Sequence, residues 1–289
     1  MSQRVKAPYG TGEPTASWGT GRQKKQQQRD LMRIIAVANR KGGVGKSTTV
    51  ANLAGALASL GIRALAIDLD TQKASLSTWL GRGGDDVPDG AIELADALLD
   101  AAATANAIYP STIKGVDILP CGPRALSALD QVEKRPAPDY MMERVLGNVP
   151  NRYDFALIDC PPALSRVVIS AIVAADEIIV PMRAHSMSLD AVSEMLQILD
   201  EIAEAGIRRK PIAPIVRPLI TEPDNTIHGK AAIANVRDNL EHVFTTPIRR
   251  NIKLAEAYGF RQSIFEYAPR SNGAADYRSV AHELLGVNS

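Results

Sequence analysis

Nine residues set between a short apolar run and a helical pattern restrict this chain more than anything else in it: Arg40-Lys41-Gly42-Gly43-Val44-Gly45-Lys46-Ser47-Thr48. The run before them, Ile34-Ile35-Ala36-Val37-Ala38, is apolar throughout and stops at the glycines, as a strand buried on both faces does. After them, residues 47–60 carry Val50, Leu53, Ala54, Leu57 and Ala58 on one helical face, and Gly61 is the stop. A glycine-rich turn at that junction lets backbone N–H groups converge on an anion, and the helix N-terminus adds positive potential. Lys46 adds a point charge, and Ser47 a hydroxyl suited to a Mg²⁺ ion that accompanies phosphate. Strand, glycines, Gly-Lys-Ser and helix in register predict a phosphate-binding loop, with Gly42, Gly43, Val44, Gly45, Lys46, Ser47 and Thr48 around the ligand.

Strand and helix signals go on alternating downstream. Ala64-Leu65-Ala66-Ile67 reads as a second strand that ends at Asp68. Residues 81–90 are turn-rich, 91–104 look helical, and 116–120, 155–159 and 177–181 read as strands. Residues 188–205 place Leu189, Val192, Leu196 and Leu199 on one helical stripe; 212–220 is extended and broken by proline, and 277–285 is helical. Strands separated by helices of this length imply right-handed crossovers, hence an α/β fold with a doubly wound, mostly parallel sheet flanked by helices. With 289 residues, 45% of them hydrophobic, the chain has enough material to bury such a core as one domain over 33–289.

The chain carries 33 Lys and Arg against 32 Asp and Glu, a net charge of +1 that excludes a protein coating nucleic acid with its whole surface. That balance is uneven. Up to residue 33 there are seven basic residues (Arg4, Lys6, Arg22, Lys24, Lys25, Arg29, Arg33) against Glu13 and Asp30, so residues 34–289 carry a surplus of four acids. Residues 1–32, rich in Gly, Ser, Thr, Gln and Lys without apolar periodicity, read as a flexible basic arm. Two cysteines, Cys121 and Cys160, are too few for a disulfide framework or a self-contained zinc site. No apolar run approaches the roughly 20 residues a bilayer span needs. Arg4 and Lys6 are followed by no apolar segment, which argues against a secretory signal and for a cytoplasmic setting.

Asp68 and Asp70 stand at the carboxyl end of the second strand, where open α/β sheets bind ligands, and Asp159 ends the apolar strand 155–159. The glycine loop departs from the ordinary pattern in having Arg40 where the first glycine belongs and Lys41 at its opening. Lys-Gly-Gly-Val-Gly-Lys-Ser-Thr resembles the deviant Walker A motif of the ParA/MinD superfamily of ATPases. Asp68-Leu69-Asp70-Thr71-Gln72 resembles that family's Asp-x-Asp-Pro-Gln switch I, and Asp159-Cys160-Pro161-Pro162 its Asp-x-Pro-Pro switch II. The resemblance implies a P-loop NTPase using ATP and Mg²⁺. Lys41 would reach across an ATP-dependent homodimer to the partner's phosphates, Lys46 would bind its own, and Asp70 would orient the attacking water. Ser47, Asp159 and Asp68 would make up the metal shell. Thr71 replaces the usual proline and frees that residue's φ. Cys160 reads as a small packing residue, and Cys121 lacks the glycine-rich setting of an iron–sulfur ligand.

Residues 246–257 are similar to the family's Ile-Pro-Arg-Asn-Val-Arg-Leu-Ser-Glu-Ala stretch, and 264–277 to its closing Tyr-x-Pro-x-Ser-x-Gly-Ala segment, so the resemblance covers 33–286. In the ParA branch it implies non-specific DNA binding by the dimer, with Arg249, Arg250 and Lys253 as candidates and Arg217 and Lys230 behind them. A ParB-like or cargo-adaptor protein would stimulate hydrolysis on the bacterial nucleoid, driving plasmid or chromosome partition, or else the positioning of a protein cargo. The C-terminal residues 279–289 hold one acid and no Lys or Arg, a poor match to the basic membrane helix of MinD proteins. A metabolic P-loop enzyme would need acid–base groups beyond the loop, and the sequence offers none.

Overall fold

The computed structural model describes residues 32–83, 86, 88, 90–183, 188–223 and 226–287, so the basic arm predicted over 1–32 lies outside the described residues apart from Met32. Seven strands form one sheet: β1 Arg33–Val37, β2 Ala64–Asp68, β3 Tyr109–Pro110, β4 Val116–Leu119, β5 Phe155–Asp159, β6 Glu177–Arg183 and β7 Ile215–Thr221. Their spatial order is β3-β4-β2-β5-β1-β6-β7, with every pairing parallel except that of β3 with β4. The helices are α1 Lys46–Ser59, α2 Ser75–Trp79, α3 Leu94–Leu99, α4 Ala125–Glu133, α5 Met141–Leu146, α6 Arg166–Ala174, α7 Ser188–Glu204, α8 Ile227–Asn239, α9 Ile252–Gly259, α10 Ile264–Tyr267 and α11 Asn272–Leu285.

The central strands are apolar on both faces because both faces are covered. Ile35 and Val37 of β1, with Phe155 and Leu157 of β5, pack against α1 and α11 through Val50, Leu53, Leu57, Tyr277 and Val280. Their alternate neighbours Ala36, Ala156 and Ile158 join Leu94, Leu129, Met142, Val168, Ile172 and Val192 from α3 to α7 on the other face. The doubly wound, mostly parallel sheet is thus as the sequence predicts. Arg33 belongs to it rather than to the arm: it pairs with Glu177 and lies 4.9 Å from the centre of the Phe155 ring.

Three local expectations change. The helix predicted over 91–104 breaks at Asp100, which is extended (φ −138°, ψ 106°), and a 3₁₀ turn, Ala101–Ala107, follows. Asp100 competes with helix continuation by accepting the Ala102 N–H at 3.0 Å. The last helix starts five residues earlier than the predicted 277, because the Ser271 hydroxyl accepts the Ala274 N–H at 3.2 Å and caps it. The proline-broken stretch is a regular strand, β7. It is the edge of the sheet, so Pro218 needs no N–H there, while its carbonyl accepts from Phe244 at 3.0 Å. Among the described residues no helix is long and apolar enough to cross a membrane.

Candidate functional site

The glycine loop opens at the carboxyl end of β1, clamped by a buried asparagine the sequence reading passed over. Asn39 donates to the Pro181 carbonyl of β6 (2.7 Å) and accepts the Lys41 N–H (2.8 Å). Gly43 (φ 70°) and Gly45 (φ 95°) adopt left-handed conformations that glycine takes without steric cost, and the Gly45 carbonyl accepts the Thr49 N–H (2.8 Å) to begin α1. From β7, the Thr221 hydroxyl donates to the Val44 carbonyl at 3.1 Å. Lys46 is buried, and its ammonium donates to the Lys41 carbonyl at 3.0 Å. Burial lowers its pKa, opposed by the charges of Asp159, Cys160 and Asp70. The loop forms one wall of a cavity of about 370 Å³ that begins at Gly42, with Lys41 outside the wall of its own chain's cavity.

Asp68 and Asp159 face each other in register across β2 and β5, and their environments give them different work. Asp68 accepts the Asp70 N–H (2.9 Å) and both the N–H and the hydroxyl of Ser77 (2.8 and 2.7 Å). Ser77 accepts in turn from the Cys121 N–H at 2.9 Å. Burial pushes the Asp68 carboxyl up to about 6 against these bonds. Without metal, the Asp68 oxygens brace the loop after β2, and Asp68 is behind the cavity wall rather than in it.

Asp159 lines the cavity, and both of its buried oxygens accept no hydrogen bond. Burial, then the charge of Asp68, hold its pKa well above the carboxylate range, while the Ser47 hydroxyl and the Lys46 charge favour the ionised form. An orphaned buried carboxylate beside a hydroxyl suits a hard cation that keeps part of its water shell, so Ser47 and Asp159 fit Mg²⁺. Among the described residues no three His, Cys, Asp or Glu side chains gather into a metal cage, which leaves the remaining ligands to water and phosphate. Asp70 also lines the cavity, and its Oδ1 accepts the N–H groups of Gln72 and Lys73, both at 3.1 Å. The two cysteines are free and buried, and burial raises both thiols, in keeping with packing roles.

The opposite wall comes from the C-terminal half: Arg183, Thr221, Glu222, Ile248, Arg249, Asn251 and Tyr277. Ile248, Arg249, Asn251 and Tyr277 fall in the stretches 246–257 and 264–277 that resemble the family's, whereas Arg183, Thr221 and Glu222 carried no sequence signal, because only the sheet order brings β6 and β7 to the loop. Asn251 caps α9 by accepting the Lys253 N–H at 3.0 Å, a cap not foreseen from the sequence. Two of the expected DNA contacts are engaged within the chain. Arg249 lines the cavity and grips the buried Asp276 through Nε (3.0 Å), Nη2 (2.5 Å) and its own N–H (2.9 Å). Arg217 is half-buried, paired with Glu177 at 3.3 Å, and lies 4.3 Å from the Phe244 ring centre. Lys253 is at the surface, paired with Glu256 at 2.8 Å. Arg250 and Lys230 are exposed.

Residues 32–211 match the family AAA_31, described as an AAA domain. Over 259 residues the chain is 36% identical to the chromosome-partitioning ATPase Soj of Thermus thermophilus, covering 89% of this chain and 97% of that protein. It is 30% identical to the sporulation initiation inhibitor protein Soj of Bacillus subtilis, over 87% of this chain and 98% of the relative. Among solved structures, cobyrinic acid a,c-diamide synthase from Mycobacterium smegmatis with bound ATP analog and magnesium superposes with a TM-score of 0.71 at 28% identity, covering 88% and 95% of the two chains.

Proposed function

Since the chain belongs to the ParA/MinD superfamily of ATPases, in its ParA-type partition branch, we propose that it is an ATP-driven switch for moving DNA cargo. Two subunits clamp ATP between them, the dimer holds DNA without sequence preference, and hydrolysis stimulated by a ParB-like partner releases it on the bacterial nucleoid.

The observation that carries this reading is the orphaned carboxylate of Asp159 at the foot of a cavity walled by the glycine loop. The loop amides and Lys46 bind the phosphates, Ser47 and Asp159 hold the magnesium ion, and Asp70 aims the attacking water. When bound, Mg²⁺ offsets charge on the phosphate oxygens. Lys41, which opens the loop outside its own cavity, is the group that reaches a partner's nucleotide. For DNA, the exposed Arg250, Lys253 and Lys230 remain as contacts, weak singly and doubled by dimerisation. The basic arm adds to them. The higher identity to a chromosome-partitioning relative, 36% against 28% for the diamide synthase at similar coverage, favours this reading over a small-molecule ligase. A protein cargo is the alternative within the same mechanism.

Retention of mixed-sequence duplex in ATP, ADP or no nucleotide, over a salt series, tests the switch. Retention is expected with ATP alone, lost in Lys41→Ala and prolonged in Asp70→Ala. Equal retention in all three states would refute it.

A further inference from the structure

Five cationic side chains line the cavity: Lys46, Lys73, Arg183, Arg249 and Arg250. Three are anchored within the chain, Lys46 on the Lys41 carbonyl (3.0 Å), Arg183 on Glu222 (3.1 Å) and Arg249 on Asp276 (2.5 Å). The Lys73 side chain makes no hydrogen bond or ion pair among the described residues, and it is exposed to the cavity's solvent. Arg250 is also unpaired but belongs to the far wall. Lys73 instead shares a turn with Asp70: its N–H donates to the Asp70 carboxylate (3.1 Å), and the Ala74 N–H closes the turn on the Asp70 carbonyl (2.9 Å). Ala74 itself is left-handed (φ 44°, ψ 41°), a conformation costly for a residue with a Cβ and typical of segments held for a purpose.

We propose that Lys73 is a catalytic residue that contacts the γ-phosphate in cis and couples its presence to the Asp70 turn. The assignment rests on the ATPase reading above and deepens it. In hydrolysis the water oxygen bonds to the γ-phosphorus as the bridging P–O bond breaks, leaving its electron pair on ADP. The proton lost by the water passes to the released phosphate, and Lys73 stays protonated throughout. Its charge offsets the negative charge on the γ-oxygens as they separate from ADP. ADP lacks that group, so the ammonium holds the turn only in the ATP state. An uncommitted lysine is suited to this because no internal partner must be given up when the phosphate arrives.

The test uses the full-length protein, with affinities for ADP and for a non-hydrolysable ATP analogue measured beside single-turnover hydrolysis. Lys73→Ala is expected to slow hydrolysis about tenfold or more and to weaken the ATP analogue while leaving ADP unchanged. Lys73→Arg should restore most of both. Unchanged hydrolysis with an unchanged ratio of analogue to ADP affinity would overturn the proposal, and so would equal weakening of both nucleotides. Lys46→Ala separates the two readings: if wild type hydrolyses ATP and Lys46→Ala does not, the ATPase reading stands whatever Lys73 does. If wild type neither binds nor hydrolyses ATP, the ATPase reading itself fails.

Discussion

Two aspartates paired across β2 and β5 show how environment assigns roles to identical side chains. Asp68 is wrapped in donors and braces a loop, whereas Asp159 has the Ser47 hydroxyl beside it but no bond of normal geometry, which suits it to a cation. In the metal-free protein Asp159 is a liability, buried and close to Asp68, with the Lys46 charge and the Ser47 hydroxyl offsetting only part of that cost. Replacing it by Asn should therefore stabilise the nucleotide-free fold at pH 7.5 by on the order of 2 kcal/mol while abolishing Mg²⁺-dependent hydrolysis. The sign of the pH dependence follows from the raised carboxyls. Protonated Asp68 supports the fold fully below the ordinary carboxylate range, and that support is lost as pH rises through about 6. Asp159 is raised by the same burial and acts in the same direction, so in EDTA the melting temperature of wild type should fall progressively behind that of Asp159→Asn as pH rises above the ordinary carboxylate range. A gap independent of pH would show that Asp159 is not a buried acid held above that range.

The first helix shows at the scale of an element what a pattern leaves unsaid. Gly55 lies mid-helix in α1, where glycine is ordinarily about 1 kcal/mol worse than alanine. Here a Cβ would come 2.9 Å from the Ser263 Cβ, a residue fixed by its own capping box with Glu266. Gly55→Ala should therefore lower stability, by about 1–3 kcal/mol, whereas Gly259→Ala at the open end of α9 should be neutral or stabilising by up to about 1 kcal/mol. Denaturant melts of the two variants decide the matter, and stabilisation by Gly55→Ala would mean that α1 and α10 are not packed this closely. The amphipathic stripe of α1 was readable, but the close neighbour at one glycine lies more than 200 positions away in sequence.

At the scale of the whole molecule, the near-neutral charge resolves into cations paired with buried carboxylates and cations without such partners. Arg217 and Arg249 are spent on Glu177 and Asp276, so Arg217→Ala should chiefly lower the melting temperature. Lys230→Ala, at an exposed position away from the cavity, should leave folding intact and weaken DNA retention evenly across sequences, with a shallower dependence on salt. If Arg217→Ala instead abolishes DNA retention at unchanged stability, the division is wrong. Removing residues 1–31 should reduce retention further without removing its dependence on ATP, since the nucleotide cavity is built from Gly42 onward.

The sequence alone determined the sheet and one wall of the site. Both depend on local information: apolar runs bounded by glycine define strands, and a Gly-Lys-Ser turn at a strand–helix junction brings its own amides and charges together within nine residues. The other wall was decided by tertiary structure, because the order β5-β1-β6-β7 carries Arg183 and Thr221, and the packing of α11 on α1 carries Tyr277, to the loop from positions more than 130 residues downstream. The same holds for which charges are free. Asp68 with Asp159, or Arg249 with Arg250, are alike as letters, and only burial and the donors or acceptors within reach distinguish a brace from a ligand.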